Sequence, residues 1–229
     1  MAWHEGPLAA LDLEATGVDP HTARIIEVGL LRCHVDGSPV ALVDRLIDPG
    51  VPIPAEVTEI TGISPTDLAT NGGNPEEVLA ATRAAIVELV DAGVPIVIYC
   101  APYDWPLLGA ELERHGLGPL PDVPPAILID PLVLDRHVDR YRKGKRTLEA
   151  VAAHYGAPLD DAHRAAGDAA ATVAVARRIA ERNPELHLDG PGIVSLQVEA
   201  HEVWKTSFNE YLTGINASRP LVTEDWPTG

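Results

Sequence analysis

The sequence predicts an α/β protein in which helices flank a mixed β-sheet, and three observations lead to that class. The first third of the 229-residue chain reads as strands, because apolar runs rich in Ile, Val and Leu are separated by turn residues. From Pro95 onward, short apolar strands alternate with helical patterns. Hydrophobic residues make up 46% and charged residues 22% of the chain, an ordinary globular composition that excludes wholesale disorder.

Apolar runs predict five strands: Leu8–Leu13, Ile25–Val35, Ala41–Ile47, Pro95–Cys100 and Ala126–Ile129. The turn at residues 37–39 joins the second and third strands into a hairpin. Residues 49–74 are loop-rich, with one helical turn at Ala55–Thr61. Helical periodicity with capping or glycine signals predicts the remaining helices: Pro75 to Gly93, Trp105–His115, Thr147–Tyr155, Ala165–Arg182 and Ser195–Leu212.

A break near Pro184 predicts the domain organisation. Residues 1–183 are expected to form one domain, and residues 184–229 a linker, an amphipathic helix and an extended tail. The second part is interpreted as a C-terminal helical extension, because about 40 residues seldom build a core of their own.

Charge and cysteine content narrow the function classes. The net charge is 17 − 34 = −17, which disfavours broad electrostatic coating of nucleic acid or membrane. Two cysteines, 67 positions apart, argue against a disulfide scaffold or a cysteine zinc site and favour a reducing cytoplasm. Neither a membrane-spanning run nor a signal-peptide core is expected.

Carboxylates at the ends of elements are the candidate functional residues. Asp12 and Glu14 are two apart on the first strand, so both project to one face, where they repel each other unless a cation lies between them. A solvated pair of acids at a strand end is the alternative. Asp104 and Asp168 lie at helix starts, where an N-cap or the helix dipole also explains an acid. His163 falls in a loop before a helix, and a surface histidine is the alternative there.

The order and spacing of these residues resemble the DEDDh family of 3′→5′ exonucleases, as in the epsilon subunit of DNA polymerase III and ribonuclease T. The resemblance covers roughly residues 8–182, and the matching segments are Asp12-x-Glu14-x-Thr16-Gly17, Arg24 to Gly29, Thr61-Gly62-Ile63, Tyr103-Asp104 and His163-x4-Asp168. The sequence departs from the family at Tyr99-Cys100, where His-Asn is usual, and at Ala15 in place of a threonine.

The resemblance implies a ribonuclease H-like fold and hydrolysis of phosphodiester bonds with two Mg²⁺ or Mn²⁺ ions per site. By the same resemblance, Asp12 would bridge both metals, Glu14 and Asp168 would hold the water-bearing one, and Asp104 would support the second. His163 would accept the proton of the attacking water. Thr16 and Tyr103, as neighbours of these acids, are expected to contact substrate.

Basic residues are unevenly distributed. Six of the 17 lie within eleven positions: Arg136, Arg140, Arg142, Lys143, Lys145 and Arg146. This stretch is interpreted either as a solvated loop or as a phosphate guide beside the 3′ end, in which Arg142, Lys143, Lys145 and Arg146 bind substrate and Tyr141 stacks on a base.

The resulting hypothesis is a metal-dependent exonuclease that acts on the 3′ end of single-stranded nucleic acid, with DNA favoured over RNA. An RNA-trimming enzyme and a non-catalytic interaction module are the alternatives. The helix that carries Trp204, Phe208 and Tyr211 either packs on its own domain, which is favoured, or binds a protein partner or a second copy of the chain.

Overall fold

The computed structural model describes residues 1–123, 126–159 and 164–227. The strands are β1 (Leu8–Ala15), β2 (Ile25–Cys33), β3 (Pro39–Leu46), β4 (Ile96–Val97) and β5 (Leu128–Ile129). The helices are α1 (Ala55–Thr61), α2 (Pro65–Asn71), α3 (Pro75–Asp91), α4 (Ala101–Arg114), α5 (Pro131–Val138), α6 (Leu148–Tyr155), α7 (Ala165–Arg182) and α8 (Gly190–Gly214). None of the described helices combines the length and apolarity needed to cross a membrane.

The five strands form one mixed sheet in the order β3-β2-β1-β4-β5. Strands β1, β2 and β3 pair antiparallel, whereas β4 runs parallel to β1 and β5 runs parallel to β4. Hairpin-connected strands followed by parallel strands with intervening helices confirm the predicted α/β class.

Alternation along β1 divides the core into two layers. Leu11 and Leu13 face a buried cluster shared with α3 and α4. Leu8 and Ala10 face the opposite cluster, which is shared with α6 and α7. Because side chains alternate along a strand, Asp12 and Glu14 project on the same side of the sheet as Leu8 and Ala10, toward α7.

Several boundaries differ from those predicted, and the difference that bears on the site is the start of α4. This helix starts at Ala101 and not at Trp105, so Asp104 lies in its first turn and is not an N-cap. The backbone amides of Cys100 and Ala101 donate to the Asp130 carboxylate at 3.1 and 2.9 Å, which starts the helix four residues early. Two short helices, α2 and α5, were not predicted. A Ser64–Asp67 capping box starts α2, and Asp130 caps α5.

The C-terminal residues pack back onto the rest of the protein. Helix α8 begins at Gly190, inside the segment predicted as a linker. The buried Gln197 side chain accepts a hydrogen bond from the Asp130 amide at 2.6 Å and donates to the Leu128 carbonyl at 2.9 Å. Beyond α8, the chain has no regular secondary structure up to residue 227, yet Trp226 is only 5% exposed and joins the core.

Candidate active site

Two carboxylates stand side by side at the end of β1. Asp12 and Glu14 are partly buried and lie opposite Gly29 and Glu27 of β2. Both sit in β1, the central strand of the five-stranded sheet, where β2 pairs with them on one side and β4 pairs with the strand just before them, at Ala9 and Ala10. The strand geometry therefore fixes two acids on the face that α7 covers.

Helix α7 approaches this face closely because β2 carries a glycine at the contact. A Cβ atom added to Gly29 would lie 2.3 Å from the carbonyl carbon of Ala165. Any larger residue would thus push away the first turn of α7. That turn carries Asp168, which the close approach brings beside β1.

Glu27 of β2 holds the N-terminal end of α7 in place through hydrogen bonds. One of its carboxylate oxygens accepts hydrogen bonds from Arg164 Nε and Nη2 at 2.9 and 2.6 Å, and the other accepts from the Ala165 amide at 3.0 Å. Its side chain is only 1% exposed. Glu27 therefore satisfies a helix N-terminus that has no cap from its own side chains.

These elements bring three acids together. Single carboxylate oxygens of Asp12, Glu14 and Asp168 lie within 4.8 Å of one another, close enough to share one cation. The three come from two segments that are about 150 residues apart in sequence, as predicted.

Asp104 approaches this group from the first turn of α4 and its charge acts on Asp12, but it is not one of the three acids whose oxygens lie within 4.8 Å of one another. Its side chain is buried at 4% exposure. The Asp130 carboxylate, itself buried, holds the two amides that precede this turn, and it also accepts from the Leu132 amide at 2.9 Å. Asp130 therefore fixes the position from which Asp104 faces the β1 pair.

Burial and mutual repulsion make the charged forms of these acids unfavourable. Desolvation, followed by the charges of Asp104 and Glu14, raises the pKa of Asp12 well above its usual range. Desolvation and Glu14 act in the same direction on the pKa of Asp104. Desolvation and Asp168 raise the pKa of Glu14 to about 7, although Arg164 opposes the shift.

The donor set fits a divalent cation. No lysine or arginine in the described parts of the chain forms an ion pair with Asp12, Glu14 or Asp104. Buried carboxylates that repel one another, as Asp12, Glu14 and Asp104 do, form an arrangement that a bound metal ion neutralises. Oxygen ligands alone suit Mg²⁺ or Mn²⁺ better than metals that prefer nitrogen or sulfur.

The other predicted site residues fall in different surroundings. His163 belongs to residues 160–163, which lie outside the described residues. The Thr16 hydroxyl accepts a hydrogen bond from the Arg24 amide at 2.9 Å. The Tyr103 hydroxyl donates to the Gly17 carbonyl, which ties α4 to the loop after β1.

The four predicted basic contacts divide into two pairs. Arg142 and Arg146 both bind the buried carboxylate of Asp135, the former at 2.7 Å. Lys143 and Lys145 are exposed and form no ion pair with another described residue. The two arginines thus hold the loop in place, and the two lysines keep their charges in solvent.

The departure from the family at Tyr99-Cys100 has a visible consequence. The Tyr99 hydroxyl donates to the Arg146 carbonyl at 2.7 Å and so connects β4 to the basic loop. Cys100 adopts the left-handed conformation with φ 67° and ψ 52°, which asparagine tolerates better than most residues.

A comparison with known protein families identifies the chain. Residues 9–176 match the model of the RNase_T exonuclease family. The chain belongs to this family. The matched range contains all four acids, and the fold prediction and the predicted resemblance are both confirmed.

The chain is also similar in sequence to PolC-type DNA polymerase III proteins of two bacteria. It is 32% identical over 169 residues to the PolC-type DNA polymerase III of Streptococcus thermophilus, covering 73% of this chain and 11% of that protein. It is 24% identical over 202 residues to the PolC-type enzyme of Staphylococcus epidermidis, covering 88% of this chain and 13% of the relative. The chain therefore spans about a tenth of the length of these relatives.

Solved structures share the ribonuclease H-like fold. Exonuclease I from Methylocaldum szegediense aligns with a TM-score of 0.62 and 24% identity over 80% of this chain and 42% of that one. Exonuclease X in complex with 5′ overhanging duplex DNA aligns with a TM-score of 0.57 and 19% identity, covering 81% of this chain and 98% of that one.

Sequence reasoning missed two residues that support the site. Glu27 is a single acid between apolar neighbours in a strand, and Asp130 follows a strand and precedes a proline. Both patterns are visible in the sequence, as a buried charge in β2 and as an N-cap before Pro131. Each acid also accepts hydrogen bonds from a distant segment, Glu27 from the start of α7 and Asp130 from the start of α4. The local sequence pattern does not predict these distant partners.

Proposed function

We propose that this exonuclease removes nucleotides from the 3′ end of single-stranded DNA and releases nucleoside 5′-monophosphates. The observation that carries the proposal is the gathering of Asp12, Glu14 and Asp168 within 4.8 Å of one another, with Asp104 buried beside them. A scaffold protein has no need to keep such repelling acids together. The family match supports hydrolysis, and the resemblance to the DEDDh pattern supports the direction.

The acids have the role of holding divalent cations. Asp12, Glu14, Asp104 and Asp168 would bind two ions, which when bound neutralise charge on the scissile phosphate and acidify the attacking water. Glu27 and Asp130 keep the two helix starts in place, so the acids need not rearrange when substrate arrives. His163, which precedes Arg164 in sequence, is proposed as the base that accepts the proton of the water.

DNA is favoured over RNA as the substrate. The curated relatives are DNA polymerases, and one structure of the same fold is E. coli exonuclease I in complex with a dA16 oligonucleotide. That structure has a TM-score of 0.62 at 20% identity over 80% of this chain and 42% of its own. A single-strand end also suits a chain with a net charge of −17, because only a few phosphates need to be held.

Digestion of end-labelled oligonucleotides tests the proposal directly. The purified protein is incubated with Mg²⁺ or Mn²⁺ on 5′-labelled single-stranded DNA, on RNA of the same sequence and on blunt duplex, with and without EDTA. We expect a ladder that shortens one nucleotide at a time on single-stranded DNA, with no cleavage in EDTA. Immediate release of the labelled 5′ nucleotide would refute the direction, and faster digestion of RNA would favour the RNA-trimming alternative.

A further inference from the structure

A cavity of about 760 Å³ is built partly by the C-terminal segment, and none of the four acids of the site lines it. It is enclosed by the loop after β1, the start of α4, α5, α8 and the tail that follows α8. Tyr103, next to Asp104 in sequence, lines one side of it, and Arg136, His201 and Trp204 line the other. Its volume is within the range of pockets that bind small molecules, roughly 300–1,000 Å³.

A cation in this cavity, the guanidinium of Arg136, is near the Asp130 carboxylate but makes no direct contact with it. The guanidinium of Arg136 forms no hydrogen bond or ion pair with another residue in the described parts of the chain. It lies over the ring of Trp204, with its central carbon 3.6 Å from the ring centroid, and burial lowers the pKa of Arg136. A guanidinium group that stacks on an aromatic ring and has no hydrogen-bond partner in the protein can bind an anion from outside it.

A buried nitrogen in the same cavity is also unpaired. His201 is 4% exposed, and its Nε2 lies 3.0 Å from the Glu224 carbonyl oxygen, which assigns the proton to Nε2. Its Nδ1 atom is buried and has no hydrogen-bond partner. This atom can accept a hydrogen bond from a hydroxyl or amino group, or donate one to a phosphate oxygen when the ring is protonated.

The acids that line the cavity, in contrast, are already satisfied by the chain. Their donors are close in sequence or at the start of α4: His21 and Thr22 for Asp19, Cys100 and Ala101 for Asp130, and Thr223 for Glu224. Among the described residues, the lining groups without a hydrogen-bond or ion-pair partner thus include the guanidinium groups of Arg136 and Arg219 and the Nδ1 atom of His201. This difference indicates an anionic ligand with hydrogen-bonding groups.

Aromatic rings continue from the cavity along α8. A second groove of about 600 Å³ between α5 and α8 shares Arg136 and Trp204 with it. The Trp204 ring is stacked on Phe208 at a centroid distance of 5.4 Å, and Arg219 lies over Phe208 at 5.6 Å. Cations interleaved with aromatic rings are the surface that binds phosphates and bases of a single strand.

We propose that this cavity is a nucleotide subsite, in which Arg136, held over the Trp204 ring, and His201 bind a phosphate and its sugar while Tyr103 flanks the base. The ligand is a nucleotide unit, and it has two sources: the strand upstream of the scissile bond or a free nucleoside monophosphate. The proposal that the upstream strand supplies this nucleotide rests on the proposed function. The subsite also gives the C-terminal extension a role in substrate recognition.

Two substrates of different length test the strand source. We measure kcat/KM in Mn²⁺ on an eight-nucleotide oligothymidylate and on the p-nitrophenyl ester of thymidine 5′-monophosphate, which has no upstream nucleotide. For Arg136→Gln we expect kcat/KM on the oligonucleotide, divided by kcat/KM on the ester, to fall about tenfold. The reason is that a hydrogen bond to a charged group contributes roughly 1.5–3 kcal/mol. Arg136→Lys should recover part of the ratio, since it keeps the charge. Arg178→Gln, an exposed arginine on α7, is the matched control and should leave the ratio unchanged.

Binding in EDTA separates this inference from the proposed function. Calorimetry with the octanucleotide and with thymidine 5′-monophosphate needs no turnover, so it still tests the cavity if neither substrate is hydrolysed. Loss of affinity for either ligand in Arg136→Gln, at unchanged thermal stability, supports a nucleotide subsite and identifies the source. The inference is overturned if each ligand binds Arg136→Gln as tightly as it binds the wild type and the ratio of kcat/KM on the two substrates is also unchanged.

Discussion

At the residue scale, repulsion among the clustered acids affects both the proposed nuclease activity and the stability of the metal-free protein. Burial and the charges of neighbouring acids raise the pKa of both Asp12 and Asp104, so the metal-free fold carries an unfavourable interaction. The same acids are the proposed cation ligands. Their substitution therefore has opposite effects on activity and on stability.

We predict that Asp12→Asn and Asp104→Asn each abolish nuclease activity while the metal-free protein becomes no less stable. The amide keeps the shape of the side chain but removes the repulsion and the ability to hold a cation. Rates in Mn²⁺ and melting temperatures in EDTA check both parts. Asp44→Asn, at an exposed position of β3, is the control. A variant that keeps more than about a tenth of the rate, a change of roughly 1.4 kcal/mol in barrier, would show that the residue is not a ligand.

Glu14 makes the stability of the metal-free protein dependent on pH. Its pKa is about 7 in the fold against an ordinary value of 4.5, so the folded state binds more protons than the unfolded chain between those values. The free energy of unfolding contributed by this group therefore falls as pH rises toward 7 and beyond. We predict that in EDTA the melting temperature of the wild type drops more between pH 5.5 and pH 8 than that of Glu14→Gln.

Comparison with Glu88→Gln, an exposed glutamate on α3, isolates this contribution from other titrating groups. The control should follow the wild-type pH profile. Parallel profiles for the wild type and Glu14→Gln would contradict the assignment of a raised pKa to Glu14.

The backbone at Cys100 provides a prediction that is independent of metal. A non-glycine residue in the left-handed conformation costs roughly 1–2 kcal/mol, and asparagine reduces this cost because its side chain tolerates that region. We predict that Cys100→Asn raises the melting temperature and that Cys100→Val lowers it, since β-branched residues are most disfavoured there. Thermal melts of both variants check the prediction, and a change of the same sign in both would contradict it.

At the scale of elements, the site depends on how closely α7 approaches β2. Gly29 permits the contact and Glu27 holds the helix start, so Asp168 is positioned by two residues of a strand that carries no ligand itself. A shift of the first turn of α7 would separate Asp168 from Asp12 and Glu14.

We predict that Gly29→Ala destabilises the protein by about 1–3 kcal/mol and weakens Mn²⁺ binding, because the added methyl group overlaps the backbone of Ala165. Gly109→Ala is the matched control. Its added Cβ would meet only Leu120 at 3.9 Å, and alanine stabilises the interior of α4 by up to about 1 kcal/mol. Denaturant melts and calorimetric Mn²⁺ titration check both variants, and wild-type Mn²⁺ affinity in Gly29→Ala would contradict the positioning role of this contact.

The elements that sequence reasoning predicted are those whose signals are local. Ala165–Arg182 was predicted with its observed bounds because the helix is long and periodic, and the Asp12–Glu14 pair follows from the period of a strand. The start of α4 was misplaced because it depends on Asp130, about 30 residues further along the chain. The anchoring of α7 by Glu27 spans 138 positions and has no local signal. The capping box of α2 and the Asp130 N-cap of α5 are visible in the sequence, but neither helix was predicted.

At the scale of the whole molecule, the C-terminal residues take part in the same core as the family domain. The family match ends at residue 176, yet Leu186, Ile193 and Trp226 are buried against residues that precede it. Gln197 connects α8 to the junction of β5 and α5, where Asp130 also holds the start of α4. A path of direct contacts thus runs from α8 to the turn that carries Asp104.

The final prediction concerns this dependence and tests whether residues 1–183 form an independent domain. A chain that ends at Asn183 retains every residue of the family match but leaves the Asp130 amide and the Leu128 carbonyl without Gln197. Each buried polar group without a partner costs about 1–3 kcal/mol, and the apolar surface under α8 becomes exposed as well. We therefore predict that this fragment unfolds at a markedly lower temperature than the full chain and loses activity.

The full-length variant Gln197→Leu isolates the polar contribution, because it keeps the side-chain volume and removes both hydrogen bonds. We expect it to lose about 2–4 kcal/mol of stability, whereas Glu210→Ala, at an exposed position of the same helix, should stay within about 0.5 kcal/mol of wild type. Chemical denaturation of the fragment and both variants provides the measurement. A fragment with the stability of the full chain would show that residues 1–183 fold as an independent domain and that α8 is an appendage. A fragment that fails to fold while Gln197→Leu is only weakened would instead assign most of the dependence to the other contacts of residues 184–229, which include the apolar contacts of α8 and Trp226 and the hydrogen bonds that Trp3 donates to Leu186 and Leu188.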